Sequence, residues 1–163
     1  MLLNAINKKN IYTQESFFNE KTDKIKSKEI INKKQKNQDG VLDAGLSLED
    51  LARILSEVYN LKIEINYAQN FDKKSINNFR KILKEVLSED KKFILANFDG
   101  KLLNQQTGGH ISPIAAFDEE SDSLLVLDVA LHKNQWFWVN LKEFYRAMHS
   151  KDSENFRGFL LVY

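Results

Sequence analysis

The chain contains no cysteine among its 163 residues. That excludes disulfides, thiolate metal sites and a thiol nucleophile drawn from its own residues. Charge of one sign is also lacking. Twenty-four basic residues face 23 acidic ones, a formal net charge of +1, which excludes a globally steered nucleic-acid binder and leaves room for a local patch. Apolar stretches run only a few residues between charges, so none reads as a membrane span. The opening Met1-Leu2-Leu3-Asn4-Ala5-Ile6 lacks the basic lead and long apolar core of a signal peptide. With no such segment, the cytoplasm is the default compartment. Metal-ligand spacing is absent too, since His132 and His149 stand in no ligand-type relation to His110.

What is present fits a folded chain. Apolar residues at 42% and aromatics at 11% argue against disorder despite 29% charged residues. The length suits one domain, residues 1–163, with no repeat and no linker. Leu2, Leu3 and Ile6 fit one helical face, with Tyr12, Phe17 and Phe18 able to pack nearby. Lys21 to Lys36 holds seven lysines against Asp23 and Glu29. It reads as an exposed loop or short surface helix, the alternative being an arm for anions or nucleic acid. Asn37 to Gly45 reads as a turn.

Ser47 is the expected cap of a helix carrying Leu48, Leu51, Ala52, Leu55, Val58 and Tyr59. Leu61 to Tyr67 alternates as a strand with one wet face. Ser75 is the expected cap of a second helix, with Ile76, Phe79, Ile82, Leu83, Val86 and Leu87 as its buried stripe. The remainder reads mostly as strand: Phe93–Phe98, Ile111–Phe117, Leu124–Val129, Trp136–Val139 and Phe156–Tyr163. Asn140 is expected to cap a short helix through Met148. Helices followed by a largely antiparallel sheet make the class α+β.

Two polar residues interrupt that sheet. His110 opens a strand after Gly108-Gly109, and Asp128 sits inside Leu127-Asp128-Val129, where a charge is costly unless paired. If the polar turn centres on Glu120, residues about 112 and 128 face each other, and His110 and Asp128 share one end of a hairpin. An Asp beside a His fixes its tautomer and supports the imidazolium, as a general base requires. A buried bond that simply holds the hairpin is the alternative.

Three segments carry a resemblance: Gln105-Gln106-Thr107-Gly108-Gly109-His110-Ile111-Ser112-Pro113-Ile114, Leu127-Asp128-Val129-Ala130, and Phe156-Arg157-Gly158-Phe159-Leu160-Leu161-Val162. Together they resemble phytochelatin synthase. The run Tyr12 to Asn19 is similar to bacterial members, and Met1 to Ala5 resembles the helix that follows the family nucleophile. The resemblance implies a papain-like fold and a Cys-His-Asp triad that attacks glutathione, releases glycine and holds γ-glutamylcysteine on the Cys. The acyl group passes to another glutathione or to water. Plant members make metal-chelating peptides, whereas many bacterial members favour hydrolysis.

On this resemblance His110 is the catalytic base and Asp128 orients it. Asp152 and Arg157 grip the amino and carboxylate ends of the γ-glutamyl group, a task suited to one anion and one guanidinium fork. Trp136 and Trp138 are expected mainly to pack. Glutathione is the implied partner, and a homodimer is left open. No cofactor is implied for the chemistry; Cd²⁺ or Zn²⁺ would act as activator or as a glutathione thiolate complex. Two departures stand out. Leu131 occupies the position of a family Arg, and His132-Lys133 follow it. The family Cys, with the glutamine that helps form the oxyanion hole, would fall upstream of Met1. The expectation is therefore a family acyltransferase or hydrolase lacking its nucleophile, inactive as it stands, with a glutathione-binding pseudoenzyme as the alternative.

Overall fold

The computed structural model describes residues 2–6, 11–27, 45–106, 108–129, 134–152 and 155–163. The chain divides into two compact units, 1–63 and 64–163. Most of the Lys-rich window, the expected turn at 37–45 except Gly45, and Leu131, His132 and Lys133 lie outside the described residues.

The first unit is helical. Helices α1 (Leu2–Ile6), α2 (Gln14–Phe17), α3 (Glu20–Asp23) and α4 (Leu48–Arg53) are short, and a π-helical turn, Ile54–Val58, extends the last. Local chemistry sets their starts. Thr13, Asn19 and Ser47 each accept from the backbone N–H groups of the helix they open, and each is answered by the side chain three residues on. Tyr59 stacks on Phe17 and donates its hydroxyl to the Phe17 carbonyl at 2.6 Å. Ser47 is the cap expected there, and Asp50 completes a capping box with it.

The second unit holds the sheet. Strands β1 (Ile63–Tyr67), β2 (Phe93–Asp99), β3 (Gly109–Asp118), β4 (Ser123–Val126), β5 (Phe137–Asn140) and β8 (Gly158–Val162) form six strands in the order β1-β8-β2-β3-β4-β5. Strands β6 (Lys151–Asp152) and β7 (Asn155–Phe156) make a small separate hairpin. Helices α5 (Lys73–Leu87) and α6 (Leu141–Met148) supply the apolar cover of the sheet. On α5, Ile76, Phe79, Leu83 and Val86 recur at helical spacing and are buried. They meet Ile94, Ala96 and Phe98 of β2, Ile114 of β3, Phe159 of β8, and Leu141, Phe144 and Met148 of α6 in one core. Each large side chain buried there contributes about 1.5–3 kcal/mol. The mixture of helices and antiparallel sheet agrees with the α+β expectation.

Four local expectations need correction. Asp72, not Ser75, caps α5: its carboxylate accepts from the Ser75 N–H, so Ser75 falls inside the first turn. β4 ends at Val126, not Val129. The final segment is two strands rather than one, broken at Arg157. Trp136 and Trp138 do not mainly pack; they are 55% and 54% exposed, while the alternate residues Phe137 and Val139 take the core side.

Candidate functional site

All the candidate residues belong to the second unit. β2 lies between β3 and β8, so its neighbours are fixed on both sides. The β2–β3 ladder sets Phe98 opposite His110 and Asp99 opposite Gly109. The β3–β4 ladder sets Ile114 opposite Val126, with a bulge between Ile114 and Ala116. Leu127 still donates its N–H to the Pro113 carbonyl, which continues the register one step further. Residue 128 then leaves the ladder and turns its carboxylate toward the start of β3.

The result is a direct pair. His110 Nε2 stands 2.6 Å from Asp128 Oδ1. The Asp128 side chain is fully buried and that of His110 is 10% exposed. Asn134 Nδ2 donates to the other oxygen, Oδ2, at 3.0 Å. A buried carboxylate is expensive unless its lone pairs are met, and here both oxygens are engaged. The ring is also held from the side: Phe98 meets it edge-on at 5.6 Å, and Phe98 itself packs on Phe144 at 5.0 Å. With Nε2 facing the carboxylate, a neutral ring keeps its proton there, and Nδ1 is the nitrogen able to accept another.

A second cluster adjoins the first. Asp152 ends β6, and Arg157 lies at the break between β7 and β8. Arg157 Nη1 is 3.2 Å from Asp152 Oδ2 and donates to Asn97 Oδ1 at 2.9 Å. Asn97 Nδ2 donates to the same Asp152 Oδ2 at 2.9 Å. Arg157 is buried, and its Nε has no hydrogen-bond partner among the described residues. The backbone of Arg157 is tied at both ends, its N–H to Ser150 O and its carbonyl to Ala68 N–H. Its guanidinium packs over Gly109, the residue before His110. The two clusters therefore meet at the first two residues of β3.

The four residues singled out in the sequence thus assemble as two contacting pairs within one region. Sequence reasoning missed Asn97 and Asn134. Asn97 was visible as the one polar residue in the Phe93–Phe98 run. Asn134 had no comparable signal. His149 is used structurally: its Nδ1–H donates to the Ala68 carbonyl at 2.7 Å, and its ring stacks on Phe71 and Phe156. Among the described residues, no three His, Cys, Asp or Glu side chains group to hold a metal ion.

The family model described as phytochelatin synthase matches residues 1–159. The chain is similar to glutathione gamma-glutamylcysteinyltransferase of Schizosaccharomyces pombe, 36% identical over 90 residues, which is 54% of this chain and 22% of that protein. It is also similar to glutathione gamma-glutamylcysteinyltransferase 2 of Arabidopsis thaliana, 32% identical over 124 residues, 75% of this chain and 26% of that protein. The Arabidopsis thaliana protein numbered 1 is 34% identical over 90 residues, 54% of this chain and 19% of that protein. The chain thus spans about a quarter or less of these curated relatives. With a family match running over nearly its whole length, this chain belongs to the phytochelatin synthase family.

Proposed function

We propose that this chain carries the base, its orienting carboxylate and the amino-acid cradle of a γ-glutamylcysteinyl transfer from glutathione, built on a papain-like fold. The observation that supports the reading is the placement of the Arg157 guanidinium on Gly109, directly beside the His110–Asp128 pair. A substrate with an amino-acid head at one end and a scissile amide further along needs those two features side by side.

In this reading a thiol loses its proton to His110 Nδ1, and the thiolate attacks the carbonyl of the Cys–Gly bond of glutathione. The carbon–nitrogen bond breaks, His110 returns the proton to the departing glycine amine, and γ-glutamylcysteine remains as a thioester. Another glutathione amine or water then takes the acyl group. Asp128 steadies the imidazolium throughout. Asp152 and Arg157 hold the γ-glutamyl ammonium and carboxylate. Cd²⁺ or Zn²⁺ enters as a thiolate complex with glutathione, on the substrate's sulfur.

None of these 163 residues is a cysteine, so none supplies the thiol. Loss of a nucleophile costs on the order of 10⁶ in rate. The chain by itself is therefore assigned binding without turnover. A second reading follows from the same fact: an assembled cradle without a thiol suits a γ-glutamyl-peptide-binding pseudoenzyme. Both are tested by incubating the purified chain with glutathione and measuring bound ligand by calorimetry and free glycine by mass spectrometry. Binding without glycine release is expected. Release by the chain alone contradicts the assignment, and absence of binding removes both readings.

A further inference from the structure

Arginine and carboxylate groups left to themselves commonly close face to face with two parallel hydrogen bonds. Arg157 and Asp152 do not. Their nearest atoms are Nη1 and Oδ2, at 3.2 Å, and among the described residues no hydrogen bond joins the two side chains directly. Asn97 bridges them instead. Its Oδ1 takes a hydrogen bond from that same Nη1, and its Nδ2 gives one to that same Oδ2, each at 2.9 Å. Asn97 is 1% exposed and sits on β2, flanked by β3 and β8, so it has little freedom to yield.

We propose that Asn97 is a positioning residue, a wedge that keeps the Arg157–Asp152 pair half open and makes the cradle selective for a complete α-amino-acid head. The inference rests on the reading that the cradle binds γ-glutamyl peptides. The bonds to Asn97 use only Asp152 Oδ2 and Arg157 Nη1, and Arg157 Nε is buried with no hydrogen-bond partner among the described residues. Asp152 Oδ1 is then left for a donor and the Nη2–Nε side of Arg157 for an acceptor. An α-ammonium suits the first and an α-carboxylate the second. The amide is neutral, so the three side chains sum to zero charge and match a zwitterionic head. A ligand lacking the ammonium leaves the acidic edge unmet, and a site built to satisfy a polar group rejects the analogue without it.

The experiment compares glutathione with its des-amino analogue, glutaryl-cysteinylglycine, by calorimetry on the wild-type chain and on N97L. A crystal structure and a melting curve of N97L accompany it. Leu has nearly the shape of Asn and neither hydrogen bond. The wild-type chain is expected to prefer glutathione by about tenfold or more. In N97L the preference should fall to within about threefold, while Arg157 and Asp152 close to two bonds. A retained preference overturns the proposal, and so does a contact that stays single.

If N97L fails to fold, N97D serves instead. It keeps the acceptor toward Arg157, loses the donor toward Asp152 and adds a negative charge. Glutathione affinity should then drop by about tenfold or more with a cooperative melt preserved; unchanged affinity overturns the proposal. If the wild-type chain binds neither ligand, the reading of the cradle as a γ-glutamyl site fails. The N97L crystal structure then decides the wedge alone: closure supports it and a single contact overturns it.

Discussion

The guanidinium of Arg157 lies so close over Gly109 that a Cβ there would stand 2.6 Å from Nη1 and 2.8 Å from Nη2. Glycine is required at this position by the approach of a charged side chain, and the residue that follows it is His110. In Gly109→Ala the guanidinium must retreat, because it is the mobile end of the contact. Its hydrogen bond to Asn97 is then lost, at about 1.5–3 kcal/mol for a buried charged donor. Glutathione affinity is expected to fall by about tenfold or more, with a folded circular-dichroism spectrum retained. Unchanged affinity would mean that Arg157 is not a ligand.

The His110–Asp128 pair fixes a tautomer. Nitrogen NMR of the imidazole should find the proton of the neutral ring on Nε2, facing Asp128 Oδ1. In Asp128→Asn the facing atom is free to be a donor, and the proton should move to Nδ1. Asp128→Ala should also destabilise the unit by about 1–3 kcal/mol, since Asn134 and His110 each lose a buried partner. A wild-type ring protonated on Nδ1 would contradict the assignment of Nδ1 as the accepting nitrogen.

Asp122 joins two effects that substitutions can separate. Its carboxylate accepts from Arg80 Nε at 2.6 Å and Nη2 at 2.8 Å, tying the β3–β4 turn to α5. Its backbone has φ of +50°, in the left-handed region. Asp122→Ala keeps the Cβ and loses the ion pair, expected to cost about 1 kcal/mol for a partly exposed pair. Asp122→Gly loses the same pair but relieves about 1 kcal/mol of left-handed strain that any Cβ carries there. Thermal melts should therefore place Gly above Ala and close to the wild type. Equal melting of the two variants would remove the backbone contribution.

Acid lability is expected in the helical unit at Asp50. Burial alone would raise its carboxyl, but the bonds from Lys26 and from Ser47 together outweigh burial and hold it below the ordinary aspartate value. A carboxylate depressed on folding stabilises the fold at pH above its unfolded value of about 3.9 and loses that contribution as pH falls through the folded value. Stability measured in urea from pH 6 down to pH 2 should fall less steeply in Asp50→Asn than in the wild type. Parallel curves would show that Asp50 does not contribute to the slope.

Much of this fold was legible because one period ruled each segment. The stripe on α5 and the alternation near β1 follow from side-chain geometry alone. Centring the turn on Glu120 put 112 opposite 128, and the observed Ile114–Val126 pairing extrapolates to the same match. The losses have physical causes too. Asp72 and Ser75 are both good helix starters, and only the backbone path decides between them. Two tryptophans in an apolar run look buried, but alternation gives the core side to Phe137 and Val139 instead. Asn97 hides in a core strand because alternation aims it away from the apolar face that Ala96 and Phe98 share. Its partners, Asp152 and Arg157, lie 55 and 60 residues away, a separation no local pattern records.

Glutathione binding at the Arg157–Asp152–Asn97 cluster is tested most directly by titrating the isotopically labelled chain and following its backbone amides by NMR. Saturable shifts centred on Asn97, Gly109, His110, Asp152 and Arg157 are expected, with no glycine released. A second outcome has a definite place in the structure: a polar cavity of about 350 Å³ lies beside the start of α5, lined by Asn66, Asn70, Ser75, Asn78 and Tyr145. Shifts confined to that cavity, or no shifts at all, would contradict the assignment of Asp152, Arg157 and Asn97 as the γ-glutamyl cradle.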